Sequence, residues 1–81
     1  MTVKVILYTG SHCPLCQKAK TLLYPVLIEY KATLEEVNIA STESLQKAYG
    51  LRIPVVKMPD GEEKGWPFTV GQVRNLLARQ T

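Results

Sequence analysis

Long hydrophobic runs are missing from this chain. No stretch approaches the roughly 20 apolar residues of a membrane span, and the segment Val5 to Tyr8 with its neighbours is only strand-sized. A membrane-spanning helix is thereby excluded. The N-terminus, Met1-Thr2-Val3-Lys4-Val5-Ile6-Leu7-Tyr8, also lacks the basic region, extended apolar region and small-residue cleavage site of a secretory signal, so a cytoplasmic location is expected. Glycine and proline are sparse, five of each, which excludes low-complexity and collagen-like chains. Acids are absent before Glu29, whereas Lys4, Lys18 and Lys20 all precede it, and one end of the molecule is predicted to be electropositive. The net charge is only +3, and the basic residues are dispersed without the aromatic or glycine pattern of an RNA or DNA module. That argues for a solvated basic face and against nucleic-acid binding.

What remains is an ordinary globular balance of 46% hydrophobic and 21% charged residues over 81 positions, enough for one compact domain spanning 1–81 and too little for two. Val3, Val5 and Leu7 alternate with Lys4, Ile6 and Tyr8, and both faces turn apolar toward the end of the segment, the mark of a central strand covered on two sides. After Thr9-Gly10-Ser11-His12 the period changes. From Pro14 onward Leu15, Ala19, Leu22, Leu23, Val26 and Tyr30 recur at helical spacing, with Pro25 predicting a kink, or a break near Tyr24.

Glu35 to Ile39 alternates as a half-exposed edge strand. Ser41 or Thr42 then caps a short helix with Leu45, Ala48 and Tyr49 inward and Gly50 at its C-terminal end. Pro54 to Met58 and Glu62 to Gly65, joined by Pro59-Asp60-Gly61, read as a hairpin. Thr69 and Gln72 form a capping box, Phe68 and Val73 a hydrophobic staple, and a last helix turns Val70, Val73, Leu76 and Leu77 inward. The fold class is α/β, in the order βαβαββα.

Cysteine is as scarce as it can be while still forming a pair: Cys13 and Cys16, in one Cys-Pro-Leu-Cys motif. A structural disulfide closing so short a loop would restrain the unfolded chain very little, and a reducing cytosol would tend to open it. A structural zinc site wants four protein ligands, and the single His12 is too near Cys13 in sequence to complete one easily, so no metal is expected. Redox chemistry remains, or a cluster shared between chains. With Cys13 at the helix N-cap and Pro14 at the first helical position, where its missing donor costs nothing, free N–H groups and the helix dipole favour an anionic sulfur. The dipole contributes about 0.3 to 1 kcal/mol, up to about 2 when partly buried. Together with hydrogen bonds to sulfur this brings a thiol from about 8.5 down toward 7 or below.

Cys16, on the same face of the first turn, is placed to resolve a mixed disulfide at Cys13 and is expected to be more buried. Pro14 serves both as helix starter and as a shaper of the redox pair, and Leu15 is an apolar rim residue. His12 is either a cation lowering the thiol pKa or a solvent-facing loop histidine.

Tyr8-Thr9-Gly10-Ser11-His12-Cys13-Pro14-Leu15-Cys16, followed some forty residues later by Ile53-Pro54-Val55 at a strand start, resembles the glutaredoxin and thioredoxin superfamily over the whole chain. The resemblance implies the thioredoxin fold, a central four-stranded mixed sheet flanked by helices. It implies a cis Ile53-Pro54 bond against the active-site disulfide, with the backbone of Ile53 holding the substrate chain. Tyr49-Gly50-Leu51-Arg52-Ile53-Pro54-Val55 with Gly65-Trp66-Pro67-Phe68 is similar to a small bacterial glutaredoxin-like family. Glutaredoxins usually carry a lysine where this chain has Gly10, a tyrosine at Leu15, a threonine at Arg52 and a Gly-Gly-x-Asp signature where Trp66-Pro67-Phe68-Thr69 stands.

Arg52 is a bidentate donor suited to a carboxylate. Trp66 either lines the substrate groove or packs under the last helix. The implied activity is thiol-disulfide exchange on protein or small-molecule disulfides, without a cofactor beyond the cysteine pair. The implied partners are a disulfide substrate and an electron donor, with glutathione a weak reductant, a reductase or dithiol the better one, and the chain a monomer. The rival readings are a non-catalytic binding or redox-sensing module and an iron-sulfur-bridging dimer.

Overall fold

Successive side chains of an extended segment point to opposite faces, and in the computed structural model, which describes residues 3–80, that rule divides the core in two. The elements run β1 (Lys4–Thr9), α1 (Pro14–Glu29), β2 (Thr33–Asn38), a 3-10 turn (Ile39–Ser41), α2 (Glu43–Tyr49), β3 (Val55–Lys57), β4 (Glu63–Gly65) and α3 (Val70–Ala78). The sheet order is β2-β1-β3-β4, with β1 and β2 parallel and the other pairs antiparallel. Val5 and Leu7 of β1 and Val56 and Met58 of the β3 segment meet α1 and α3 on one face. Tyr8 and Val55 meet Ile39 and Tyr49, and so α2, on the other. Leu7, Leu23 and Leu77 are wholly buried, each contributing roughly 1.5 to 3 kcal/mol by leaving water.

Several local expectations are met by local chemistry. Thr69 Oγ1 accepts from the Gln72 amide at 3.1 Å, and Gln72 Oε1 accepts from the Thr69 amide at 2.9 Å, closing the capping box. Phe68 and Val73, the staple pair, are both buried in the α1/α3 core. Of the two candidates for capping α2, Thr42 does so, its Oγ1 accepting from the Leu45 amide at 3.3 Å. In the hairpin, Gly61 takes the positive φ of 95° that the turn requires, while Asp60 Oδ1 accepts from the Glu62 amide at 2.9 Å.

Other expectations are corrected. β2 lies two residues earlier at its start than Glu35–Ile39, because the parallel ladder to β1 begins at Lys4↔Thr33 and ends at Thr9↔Asn38. Ile39 leaves the strand because Asn38 Oδ1 accepts the Ala40 amide at 2.9 Å and turns the chain. No break occurs at Tyr24, and α1 runs through Pro25 to Glu29. Pro25 faces solvent while Leu23, Val26 and Leu27 are buried on either side of it, so a cost of about 3 kcal/mol for the proline is offset by apolar burial of similar size.

Gly50 has right-handed dihedrals, φ −51° and ψ −38°. Glycine is needed there for space, since a Cβ would lie 2.5 Å from the Gln46 carbonyl oxygen. Ala48 does not face the core but is exposed. Of the three lysines that precede the first acid, two have acidic partners on β2: Lys4 meets Glu35 at 3.2 Å and Lys20 meets Glu36 at 3.1 Å.

Candidate active site

β1 ends at Thr9, and the four residues from Gly10 carry the chain to the N-terminus of α1. Cys13 is the N-cap, in an extended conformation (φ −113°, ψ 94°), with Pro14 opening the helix. Its Sγ accepts a hydrogen bond from the Cys16 amide at 3.1 Å, a first-turn N–H shared with the Cys13 backbone carbonyl, also at 3.1 Å. Cys13 and Cys16 are joined as a disulfide with their Cα atoms 5.2 Å apart. The two sulfurs are unequal: Cys13 is half-buried, whereas Cys16 is only 1% exposed.

His12 is exposed and has a left-handed φ of 55°, and it lines, with Gly10, Cys13, Pro14 and Gln17, a cleft of about 440 Å³. Ser11 Oγ accepts from Asn38 Nδ2 at 3.3 Å, tying the cysteine loop to the end of β2. Leu15 is exposed at the rim.

The second segment arrives from the neighbouring strand. Tyr8 pairs with Val55, and continuing that antiparallel register sets Pro54 opposite Thr9 and Ile53 opposite Gly10. The Ile53-Pro54 bond is cis, as is Trp66-Pro67, which the sequence did not announce. Pro54 is fully buried, and its carbonyl accepts from the Trp66 amide at 3.0 Å. Ile53 lies so close to Gly10 that a Cβ there would come within 2.7 Å of Ile53 Cδ1. Ile53 and Arg52 line a larger open cavity of about 790 Å³, between the end of β1, the 3-10 turn, α2 and the loop before Pro54. Trp66 stands apart from both cavities and packs against the α1/α3 core, edge-on to Phe68 with ring centroids 5.1 Å apart.

Arg52 is held in a cluster that sequence reasoning missed. Its guanidinium sits 5.5 Å from the centroid of the Tyr49 ring and 4.0 Å from Glu63 Oε1. The buried Tyr49 ring stacks on Tyr8 at 4.3 Å, and its hydroxyl donates to Glu63 Oε2. That hydrogen bond to a carboxylate, reinforced by burial, pushes the Tyr49 phenol well above the ordinary tyrosine range. The only sequence signal for the pair is the apolar inward spacing of Tyr49. Glu63 lies in a short half-buried strand and gives no hint of its partner. Among the described residues no group of three or more His, Cys, Asp or Glu side chains comes together, so a metal at the cysteine pair would need ligands from elsewhere.

A mixed sheet with α1 and α3 on one face, α2 on the other, and a Cys-x-x-Cys pair at the first helix terminus defines a thioredoxin-fold protein of the glutaredoxin-like class. The sequence match is specific: residues 4–78 fit the model of the glutaredoxin-like domain DUF836, and the chain belongs to that family. Among solved structures it is similar to protein XcR50 from X. campestris, at 34% identity and TM-score 0.75 over 93% of this chain and 96% of that one. Protein Ne2328 from Nitrosomonas europaea matches at 22% identity and TM-score 0.82, covering 94% and 92%. Thioredoxin 1 from Thermosipho africanus shares the fold at 15% identity and TM-score 0.72, covering 95% and 92%. No curated protein matches the sequence.

Proposed function

We propose that the protein is a thiol-disulfide oxidoreductase in which Cys13 is the nucleophile and Cys16 the resolving thiol. The asymmetry of the pair carries this reading. The half-buried Cys13 sulfur accepts an amide N–H at a helix terminus, and the other sulfur is enclosed. A thiolate at Cys13 is stabilised by that donor and by the helix dipole. It attacks one sulfur of a substrate disulfide and displaces the other as a thiolate, which takes a proton from solvent. The Cys16 thiol then loses its proton and attacks Cys13 Sγ, releasing the second substrate thiol. Two electrons have passed to the substrate, and the Cys13–Cys16 disulfide of this structure is the product state.

Ile53, beside Gly10, and Arg52, on the larger cavity, are placed to contact the substrate chain. Pro14 shapes the first turn, Pro54 fixes the path of the loop, and His12 borders the Cys13 cleft. Trp66 acts on the site through its backbone bond to Pro54. The reading needs no cofactor. The electron donor we propose is a dithiol or a flavoprotein reductase, with glutathione a weak alternative, because Arg52 already has Glu63 and Tyr49 as partners. The protein acts as a monomer in the cytoplasm, where a reducing environment keeps such a pair available for turnover. No helix among the described residues is long and apolar enough to cross a membrane.

The test is alkylation of the reduced protein against pH, alongside insulin reduction by the Cys13→Ser and Cys16→Ser variants. Cys13 should react first and at lower pH, Cys13→Ser should abolish reduction, and Cys16→Ser should accumulate mixed disulfides. Preferential alkylation of Cys16, or full activity in Cys13→Ser, would refute the assignment.

A further inference from the structure

We propose that the outer face of α1, from Pro14 to Ile28, is the docking surface for a protein disulfide partner, which lays on it an apolar helix carrying carboxylates. The inference rests on the oxidoreductase reading and names the partner of that same site. Residues spaced alternately three and four apart share one face of a helix, and Pro14, Gln17, Thr21, Tyr24 and Ile28 follow that spacing along α1. Pro14 and Gln17 line the cleft at Cys13, so the stripe starts at the nucleophile. Its far end is apolar: Tyr24 is 48% and Ile28 77% exposed, and Pro25 beside them faces solvent. At a rise of about 1.5 Å per residue, that apolar end lies about 15 to 21 Å along the axis from Pro14.

A partner joined to Cys13 by a mixed disulfide must span that distance to cover Tyr24 and Ile28. A small disulfide cannot, so the occupant is a protein. Charge narrows it further. α1 carries no acid before Glu29, and Glu29 is taken by Arg74 through hydrogen bonds of 3.0, 3.1 and 3.2 Å. Lys4, Lys20 and Lys47 each have a glutamate. Lys18, exposed on the outer face of α1, has no acidic partner among the described residues. The middle of the stripe adds a backbone acceptor: Pro25 has no N–H, so the Thr21 carbonyl lacks the donor that a regular helix would supply. A free cation and an apolar end, with no free acid, complement an apolar surface bearing carboxylates. They do not complement a second copy, which brings another Lys18 and no carboxylate for it. Size points the same way. A helix of 16 residues, about 24 Å long and about 10 Å wide, offers about 240 Å², far below the about 800 Å² per partner of a stable complex and suited to a transient redox encounter. The mixed disulfide then tethers the two proteins, and a weak contact suffices because it acts intramolecularly.

The experiment uses the full-length Cys16→Ser protein, whose one thiol is Cys13, equilibrated with symmetrical disulfides of three synthetic peptides in 2-mercaptoethanol. Each peptide has a cysteine, a Gly-Ser linker and a helix-forming segment of about 14 residues, the length of the stripe. The first carries a leucine stripe flanked by glutamates; the second has serine for every leucine, and the third lysine for every glutamate. The Cys13 thiolate displaces one peptide thiolate from the disulfide and keeps the other peptide in a mixed disulfide, which intact-protein mass spectrometry counts. The leucine-glutamate peptide should be captured at least about tenfold more favourably than either control. In Ile28→Ser its advantage over the serine peptide should fall to within about twofold, and Lys18→Glu should reverse the preference between glutamate and lysine. Both positions are exposed, so the substitutions leave the core intact. Equal capture of the three peptides, or a preference unchanged in both variants, would overturn the proposal. So would a wild-type dimer in sedimentation that Ile28→Ser dissolves, which would give the stripe to a second copy. Adsorption to phosphatidylserine vesicles that is lost in Ile28→Ser would give it to a lipid surface and overturn it equally. A Cys13 that forms mixed disulfides with none of the peptides would overturn the oxidoreductase reading and this proposal together.

Discussion

Replacing Tyr49 by Phe removes one hydroxyl and leaves the rest of its cluster standing. The ring keeps its stack on Tyr8 and its position beneath the Arg52 guanidinium, while the Glu63 carboxylate loses its phenol donor. A hydrogen bond to a charged group is worth about 1.5 to 3 kcal/mol. Glu63 is only 25% exposed, which raises the cost of losing a donor, but Arg52 remains at 4.0 Å and limits it. The lower end, about 1.5 kcal/mol, follows. For a chain of this size that lowers the melting temperature by about 6 to 12 °C.

The same bond has a pH signature. Because the phenol pKa is raised in the folded protein above the ordinary value of 10.0, the folded state holds its proton more tightly than the unfolded one. Its contribution is complete below pH 10 and is lost as pH rises above it. Urea unfolding of the oxidised wild type and Tyr49→Phe, from pH 7 to pH 11, isolates the effect as the difference between the two. The variant should be less stable at neutral pH, and the gap should narrow as pH passes 10. Equal stability at pH 7, or a gap constant through pH 11, would refute the reasoning.

Truncating the wholly buried Leu23 to Ala should cost about 2 to 5 kcal/mol in urea unfolding, and a loss smaller than about 1 kcal/mol would show that the α1 core is less tightly packed than described. Asp60 has its carboxyl below the ordinary range, first through the Glu62 backbone N–H and then through Gln80. Its contribution is therefore present above the unfolded pKa and lost as pH falls through the folded one; melting curves of Asp60→Ala and wild type should differ at pH 7 and converge in acid. Glutathione with glutathione reductase should support hydroxyethyl disulfide turnover about one to two orders of magnitude below an ordinary dithiol glutaredoxin, the cost of one missing charge-assisted contact. Comparable turnover would make Arg52 a carboxylate site after all.

What could be read from the sequence is what is decided within a few residues. The helix start at Cys13-Pro14, the capping box of Thr69 and Gln72 and the turn at Asp60-Gly61 each rest on bonds between near neighbours, so residue type and spacing suffice. The bounds of β2 depend on a ladder to β1, and alternation alone could not show that Thr33 and Leu34 join it. The unbroken α1 depends on what Val26 and Leu27 bury beyond Pro25. Tyr49 and Glu63 are 14 residues apart on different elements, and nothing in either neighbourhood points to the other.

Gly10 shows the same limit at the site itself. Beside the glutaredoxin pattern it stands where a lysine is usual, so from sequence alone it reads as an absent cation. In the folded chain the β1–β3 register brings Ile53 across from it, and Ile53 Cδ1 takes the space that a side chain at Gly10 would need. Gly10 and Ile53 are thus matched across the sheet, each limiting what the other position can hold. A side chain at Gly10 would meet the terminal methyl of Ile53, the far end of a flexible side chain, which would have to turn aside to admit it.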